Sequence, residues 1–189
     1  MGLNYKVTPI FPTCIHSLEI DNFDTYKDQL IKDAYQERDE DPIGRKLSNE
    51  GGWQSDQINI NQCKSEILKK IIIDSLSGFI PMLEKVSMFV EGWININEPG
   101  NLNVKHVHPR CHLSGVLWIK TPKNCGNIGF KDPRYGSELL AFDYEDGSIF
   151  QHRTIEIEPV TGRLIMFPSW LYHGTKQGEF DPPEERVSL

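Results

Sequence analysis

Long apolar runs are missing from this sequence. Its densest aliphatic cluster, Ile71–Ile73, sits inside a charged segment and falls far short of the ~18–20 consecutive apolar residues a membrane helix needs. The stretch from Met1 to Phe11 lacks the basic-then-apolar order of a secretory leader. Basic residues are in deficit: 20 Lys and Arg stand against 27 Asp and Glu, for a net charge of −7. General nucleic-acid binding draws its affinity from phosphate neutralisation, so this balance disfavours it and leaves only a local basic groove open. Cysteine is sparse. Cys14, Cys63, Cys111 and Cys125 make no CxxC pair, which argues against a disulfide framework or a zinc knuckle and for free thiols in a reducing cytoplasm. Internal repeats, low-complexity tracts and linker-like stretches are also missing.

What remains is a chain of 189 residues, 38% hydrophobic, long enough to bury about 70% of its unfolded surface without disulfides. The pattern predicts one domain over residues 1–189, with a helical prelude and flanking strand over 1–84 and a β-rich core over 85–189. The expected partner is a small-molecule or peptide substrate, with no membrane contact; a homodimer is left open. In the prelude, Tyr5–Ile10 reads as an opening strand. Phe23, Tyr26, Leu30, Ile31 and Ala34 recur at helical spacing over Asn22–Arg38, with Asp21 or Asn22 as the cap. A second helix fits Ser65–Leu83, closed or kinked by Pro81.

From Lys85 onward the period changes to two. Strands are expected over 86–96 (with Gly92 as a bulge), 113–119, 127–130, 148–158, 162–167 and 186–189. Many short strands after a helical prelude indicate a sandwich or barrel with the helices packed outside.

Three of the six histidines fall within KHVHPRCH: His106, His108 and His112. On an extended segment, residues i and i+2 face one side, so His106 and His108 point together and two neutral imidazoles can share a metal ion. Pro109 interrupts the strand, which gives His112 a supporting or structural role. A second group is GRLIMFPSWLYHG, in which an apolar strand and a short excursion deliver His173. Thirteen residues later comes Arg186, with Ser188 at i+2 on the same strand face. A permanently charged guanidinium beside a hydroxyl suits a carboxylate, although a lone strand-end Arg is more often a solvated charge.

The order HxH, distal His, Arg-x-Ser resembles the 2-oxoglutarate/Fe(II)-dependent dioxygenase superfamily. Further segments, SNEGGWQS, the run from Asn103 to Ile119, GNIGFKDPR and ERVS, resemble a family of small predicted oxygenases of bacteria and phages. The resemblance extends from Ser48 to Ser188. It implies a mainly β (α+β) fold, a double-stranded β-helix or jelly roll related to the cupins, with N-terminal helices outside. It implies an oxidoreductase that uses Fe(II) and 2-oxoglutarate to hydroxylate an unknown substrate, releasing succinate and CO2. By the same resemblance His106, His108 and His173 are metal ligands. Arg186 and Ser188, helped by Asn95 and Asn97, take the co-substrate carboxylates. His108 stands where the superfamily carries its carboxylate, which departs from the pattern. No side-chain base is needed beyond the metal centre.

Other readings stay open. A cupin-type three-histidine metalloprotein or dioxygenase without 2-oxoglutarate fits Gly100 followed by His106-x-His108. The cupin motif's glutamate is missing where His112 and Leu113 stand, and Leu164 occupies the place of its second-half histidine. A non-catalytic jelly-roll binding module is the third reading, since fold alone does not establish activity. Trp118 reads as core, Trp53 and Trp170 as loop residues at a substrate or over the core, Asp132 and Arg134 as an ion-paired turn, and His16 and His152 as surface residues.

Overall fold

The computed structural model describes residues 6, 8, 10–79, 89–134 and 154–189. The chain runs β1 (His16–Glu19), α1 (Asp24–Glu40), β2 (Asn49–Glu50), β3 (Trp53–Gln54), β4 (Ile58–Asn59), a 3-10 turn (Ile60–Gln62) and α2 (Glu66–Phe79). It continues through β5 (Glu91–Gly92), β6 (Asn95–Asn97), β7 (Leu102–Asn103), β8 (Leu113–Lys120), β9 (Ile128–Lys131), β10 (Thr154–Ile157), β11 (Arg163–Pro168), β12 (His173–Thr175) and β13 (Arg186–Ser188). A six-stranded sheet has the order β1-β11-β8-β13-β6-β3, and a second sheet the order β10-β9-β12. Their pairings are antiparallel.

The two-residue period of the central strands sorts their side chains onto two cores. On β8, Leu117 and Ile119 join a cluster with Leu30 and Ala34 of α1 and Leu68, Ile71 and Ile72 of α2. Trp118, between them, joins the other cluster with Ile128, Phe130, Ile165, Phe167 and Leu171. On β11, Leu164 and Met166 take the helix side, Ile165 and Phe167 the side facing the second sheet. The fold is the expected mainly β jelly roll, with both helices on the outer face of the larger sheet.

Several local expectations are corrected. The first helix has Phe23 at its N-cap position with no side-chain cap. Asn22 adopts φ 54°, and its carbonyl accepts from the Thr25 amide (2.9 Å) and hydroxyl (2.7 Å). A backbone turn thus does what a capping side chain was expected to do. Among the described residues the first strand is His16–Glu19; positions 6, 8 and 10 are outside any strand, and 5, 7 and 9 lie outside the described residues. Gly92 pairs in register with Ile58 and is no bulge; the irregularity falls between Val187 and Ser188 on β13. The long strand expected over 86–96 appears as β5 and β6, which pair with different partners. Residues 80–83 of the expected second helix, 86–88 of that strand and 148–153 of a later one lie outside the described residues.

Candidate metal centre

The segment after β7 lies against β12 through one reciprocal backbone pair. The His106 amide donates to the His173 carbonyl (2.8 Å), and the His173 amide donates to the His106 carbonyl (3.0 Å). This bridge brings together two histidines 67 positions apart in the sequence. His108, two residues on, turns to the same side. Its Nε2 lies 3.0 Å from Nε2 of His106 and 3.2 Å from Nε2 of His173. Among the described residues no carboxylate belongs to the cluster.

The other ring nitrogens fix the tautomers. Nδ1 of His106 contacts the Val104 carbonyl at 2.7 Å, and Nδ1 of His173 contacts the Leu171 carbonyl at 2.7 Å. A carbonyl only accepts, so each Nδ1 carries a proton, and in the neutral imidazole Nε2 is then the nitrogen that presents a lone pair. His108 has at most one Nε2 proton, so it can satisfy only one of its two short contacts. The other sets lone pair against lone pair, an arrangement a cation relieves. Nitrogens about 2.1 Å from one ion and at right angles stand about 3.0 Å apart, close to the spacing of His108 from each of the other two, and all three ligand atoms lie within 4.8 Å of one another. Burial, followed by the His106 and His173 rings, pushes His108 down to about 4. Burial also pushes His173 down to about 4, against the pull of the Leu171 carbonyl and with a further push from His106. Both rings are therefore neutral at pH 7, the form that ligates metal. Phe167 meets His173 edge-on at 4.6 Å, closing the apolar side.

A polar pocket lies on the same inner face of the larger sheet. Trp53, Ile96 and Val187 point to the helix side; their neighbours Gln54, Asn95, Asn97, Arg186 and Ser188 therefore point inward. Arg186 stands opposite Asn97, and Asn95 stands opposite both Ser188 and Gln54. Arg186 is only 2% exposed. Its Nη1 donates to the Cys125 (2.7 Å) and Gly126 (3.2 Å) carbonyls, and its Nη2 to the Thr175 hydroxyl (3.3 Å). Among the described residues no carboxylate pairs with it, and burial lowers its pKa. Two N–H groups, on Nε and Nη2, remain for a ligand. Both amide atoms of Asn97 and Oε1 of Gln54 are buried without a partner among the described residues. An unpaired buried charge costs several kcal/mol unless a counter-ion meets it, and orphaned amides add to that cost. The donor set therefore fits a dicarboxylate at this end of the barrel.

The remaining candidates separate clearly. Trp118 is inter-sheet core. Trp53 is buried on the helix side, its indole N–H donating to the Asp41 carbonyl (2.8 Å), so it is not beside the histidines. Trp170 is exposed. His112 is exposed and contributes its carbonyl to the Ser169 amide. Asp132 and Arg134 form the expected ion-paired turn. His16 is exposed on β1, and His152 lies outside the described residues. Gln54 and Thr175 were missed. Gln54 sits beside a loop tryptophan with no periodic signal, and Thr175 follows a histidine whose strand is only three residues long.

Residues 91–189 match the model of a family described as "Putative 2OG-Fe(II) oxygenase". The chain belongs to this family. No curated protein matches the oxygenase's sequence. Among solved structures, the oxygenase is similar to a prolyl-4-hydroxylase from Pseudomonas putida (18% identity, TM-score 0.62, covering 94% of this chain and 90% of that one). It is also similar to a collagen prolyl hydroxylase from Paramecium bursaria Chlorella virus-1 (14%, 0.57, 92% of each chain). A third match is the α-ketoglutarate-dependent carbocyclase SnoK from nogalamycin biosynthesis (11%, 0.63, 93% and 77%). At these identities the likeness is one of fold.

Proposed function

We propose that His106, His108 and His173 hold Fe(II) and that Arg186 and Ser188, with Asn95 and Asn97, hold 2-oxoglutarate. The convergence of three Nε2 atoms carries this reading. Bound iron would supply the oxidation, coupling decarboxylation of the oxo-acid by dioxygen to oxidation of a substrate C–H bond. The chain's own part is to bind and orient. The two Nδ1–H···O=C bonds hold His106 and His173 with lone pairs aimed at the ion. The free N–H groups of Arg186 meet the distal carboxylate, and the Asn97 amide gains the acceptor it lacks. Phe130 and Phe167 keep water from the His173 side.

The matched structures include prolyl hydroxylases, one of them in complex with a peptide fragment, and a carbocyclase from nogalamycin biosynthesis, which supports a peptide or small-molecule substrate. No helix among the described residues is long and apolar enough to cross a membrane. Four unpaired cysteines support a cytoplasmic location. Strands β1 and β3 extend the core's sheet while both helices share its hydrophobic cluster, which supports one domain over 1–189. The net charge of −7 speaks against general nucleic-acid binding.

A three-imidazole site with no carboxylate among the described residues is the one observation favouring a metalloenzyme that does not use 2-oxoglutarate. One experiment separates the readings: anaerobic Fe(II) loading, then succinate release on adding oxygen and 2-oxoglutarate, with 2-oxoglutarate affinity measured alongside. Iron binding with no affinity for 2-oxoglutarate would leave the second reading standing; no iron binding at all would remove both.

A further inference from the structure

The three imidazoles are not held alike. His106 and His173 each donate Nδ1–H to the carbonyl two residues earlier, and their backbones are bridged to one another. Among the described residues, His108 Nδ1 makes no hydrogen bond. Its backbone amide reaches the Ser169 carbonyl (3.0 Å), but that leaves the ring free to turn. The ring lies instead in a stack. Trp93 is parallel to it within 10°, with centroids 5.4 Å apart, and His173 is parallel on the other contact within 10°, at 5.1 Å. Aromatic pairs at these separations, offset and parallel, have a preferred orientation.

Trp93 is well placed to impose that orientation. It falls in the break between β5 and β6, next to Ile94. The Ile94 carbonyl and amide are bound by the Ser55 amide and hydroxyl, both at 2.9 Å. Ile94 is buried on the helix side, so alternation turns Trp93 to the inner face that also carries Asn95 and Asn97. Three successive inward positions thus run from the histidines to the pocket of Arg186.

We propose that Trp93 is the positioning residue for His108: its indole face replaces the hydrogen bond that His106 and His173 use, and holds the third imidazole in its ligating orientation. This rests on the three histidines being the metal site. The stack also gives the slot its preference for a ring. A carboxylate has no extended face for the indole to support, so the sequence departure at His108 and the aromatic at Trp93 belong together.

The test is a titration of Co(II) into the full-length protein under nitrogen, reading affinity and the visible absorption band, with thermal unfolding of each metal-free variant as a fold control. Loss of an outer-shell partner costs roughly 10–100-fold in metal affinity. Trp93→Leu and Trp93→Met should both weaken Co(II) by about tenfold or more and shift the band toward that of His108→Ala. Trp93→Phe, which keeps a flat face, should recover most of the affinity. In the His108→Ala background, Trp93→Leu should have no further effect, because coupled residues are non-additive. Wild-type affinity in both non-aromatic variants overturns the proposal, as does an equal further loss on top of His108→Ala. His106→Ala is the separate control: if it binds Co(II) as tightly as wild type, the metal-site reading itself fails.

Discussion

At the scale of single residues, the inner pocket holds a charge and an amide that the protein itself leaves unpaired. Asn97 is 2% exposed with both side-chain polar atoms orphaned. Replacing such a group by an apolar residue of similar shape is neutral or stabilising, so Asn97→Leu should raise the melting temperature of the ligand-free protein. The same change should weaken 2-oxoglutarate, measured calorimetrically on the anaerobic Fe(II) form; a stability gain with unchanged affinity would remove Asn97 from the pocket. Arg186 has a second duty in tying down the Cys125 and Gly126 carbonyls. Arg186→Ala should therefore loosen the Cys125–Gly126 segment, seen as faster amide exchange there, and lose affinity for the oxo-acid as well. Arg186→Lys keeps the charge without the planar fork and should bind 2-oxoglutarate better than Arg186→Ala but less tightly than wild type. Identical affinities across the three proteins would show that the guanidinium serves only the loop. The histidine pair at 106 and 108 was legible because extended backbone needs only a period of two. The orphaned state of Gln54 was not, because it depends on β3 reaching Asn95, 41 positions further on.

At the scale of elements, the short strand β12 does most to assemble the centre. It pairs with β9 on one side and meets the segment after β7 on the other. That second approach is close enough to exclude a side chain at Gly174. A Cβ there would stand 2.9 Å from the Asn103 carbonyl oxygen and from the Lys105 backbone. Gly174→Ala should push the two segments apart, costing about 1–3 kcal/mol of stability by overpacking. It should weaken Co(II) out of proportion to a surface alanine; a variant that keeps full metal affinity would show that the backbone bridge does not set the histidine spacing. Elements with strong alternation, β8 and β11, were readable because one strand period sorts their residues between two cores. The break between β5 and β6 was not, since the apolar positions Val90, Ile94 and Ile96 keep one period of two across it while the hydrogen-bonding partner changes. The start of α1 was missed for a similar reason: Asp21 and Asn22 have capping chemistry, but Asn22 spends it in a backbone turn.

At the scale of the whole molecule, the half-buried His108 and the buried His173 couple folding to pH. In the folded, metal-free protein His108 and His173 titrate near 4, whereas an unfolded histidine titrates near 6.5. Between these values the unfolded chain holds more protons, so stability falls as the solution is acidified through that window. Their full contribution is present above pH ~6.5, declines toward pH ~4, and stops changing through these groups below that. Urea unfolding of the metal-free protein from pH 7.5 to 4.5 should show this decline, and His108→Ala should flatten it; a profile equally steep without His108 would place the linkage elsewhere. A different consequence follows from the place of β13. It lies between β8 and β6 in the larger sheet, yet Arg186 follows the last residue of β8 by 66 positions and that of β6 by 89. During translation both strands leave the ribosome with an unpaired edge and wait for their common neighbour, the situation in which sheet edges invite wrong partners. The strand that closes the sheet carries Arg186, so a nascent chain completes its inner polar pocket in the same event that hides its vulnerable edges.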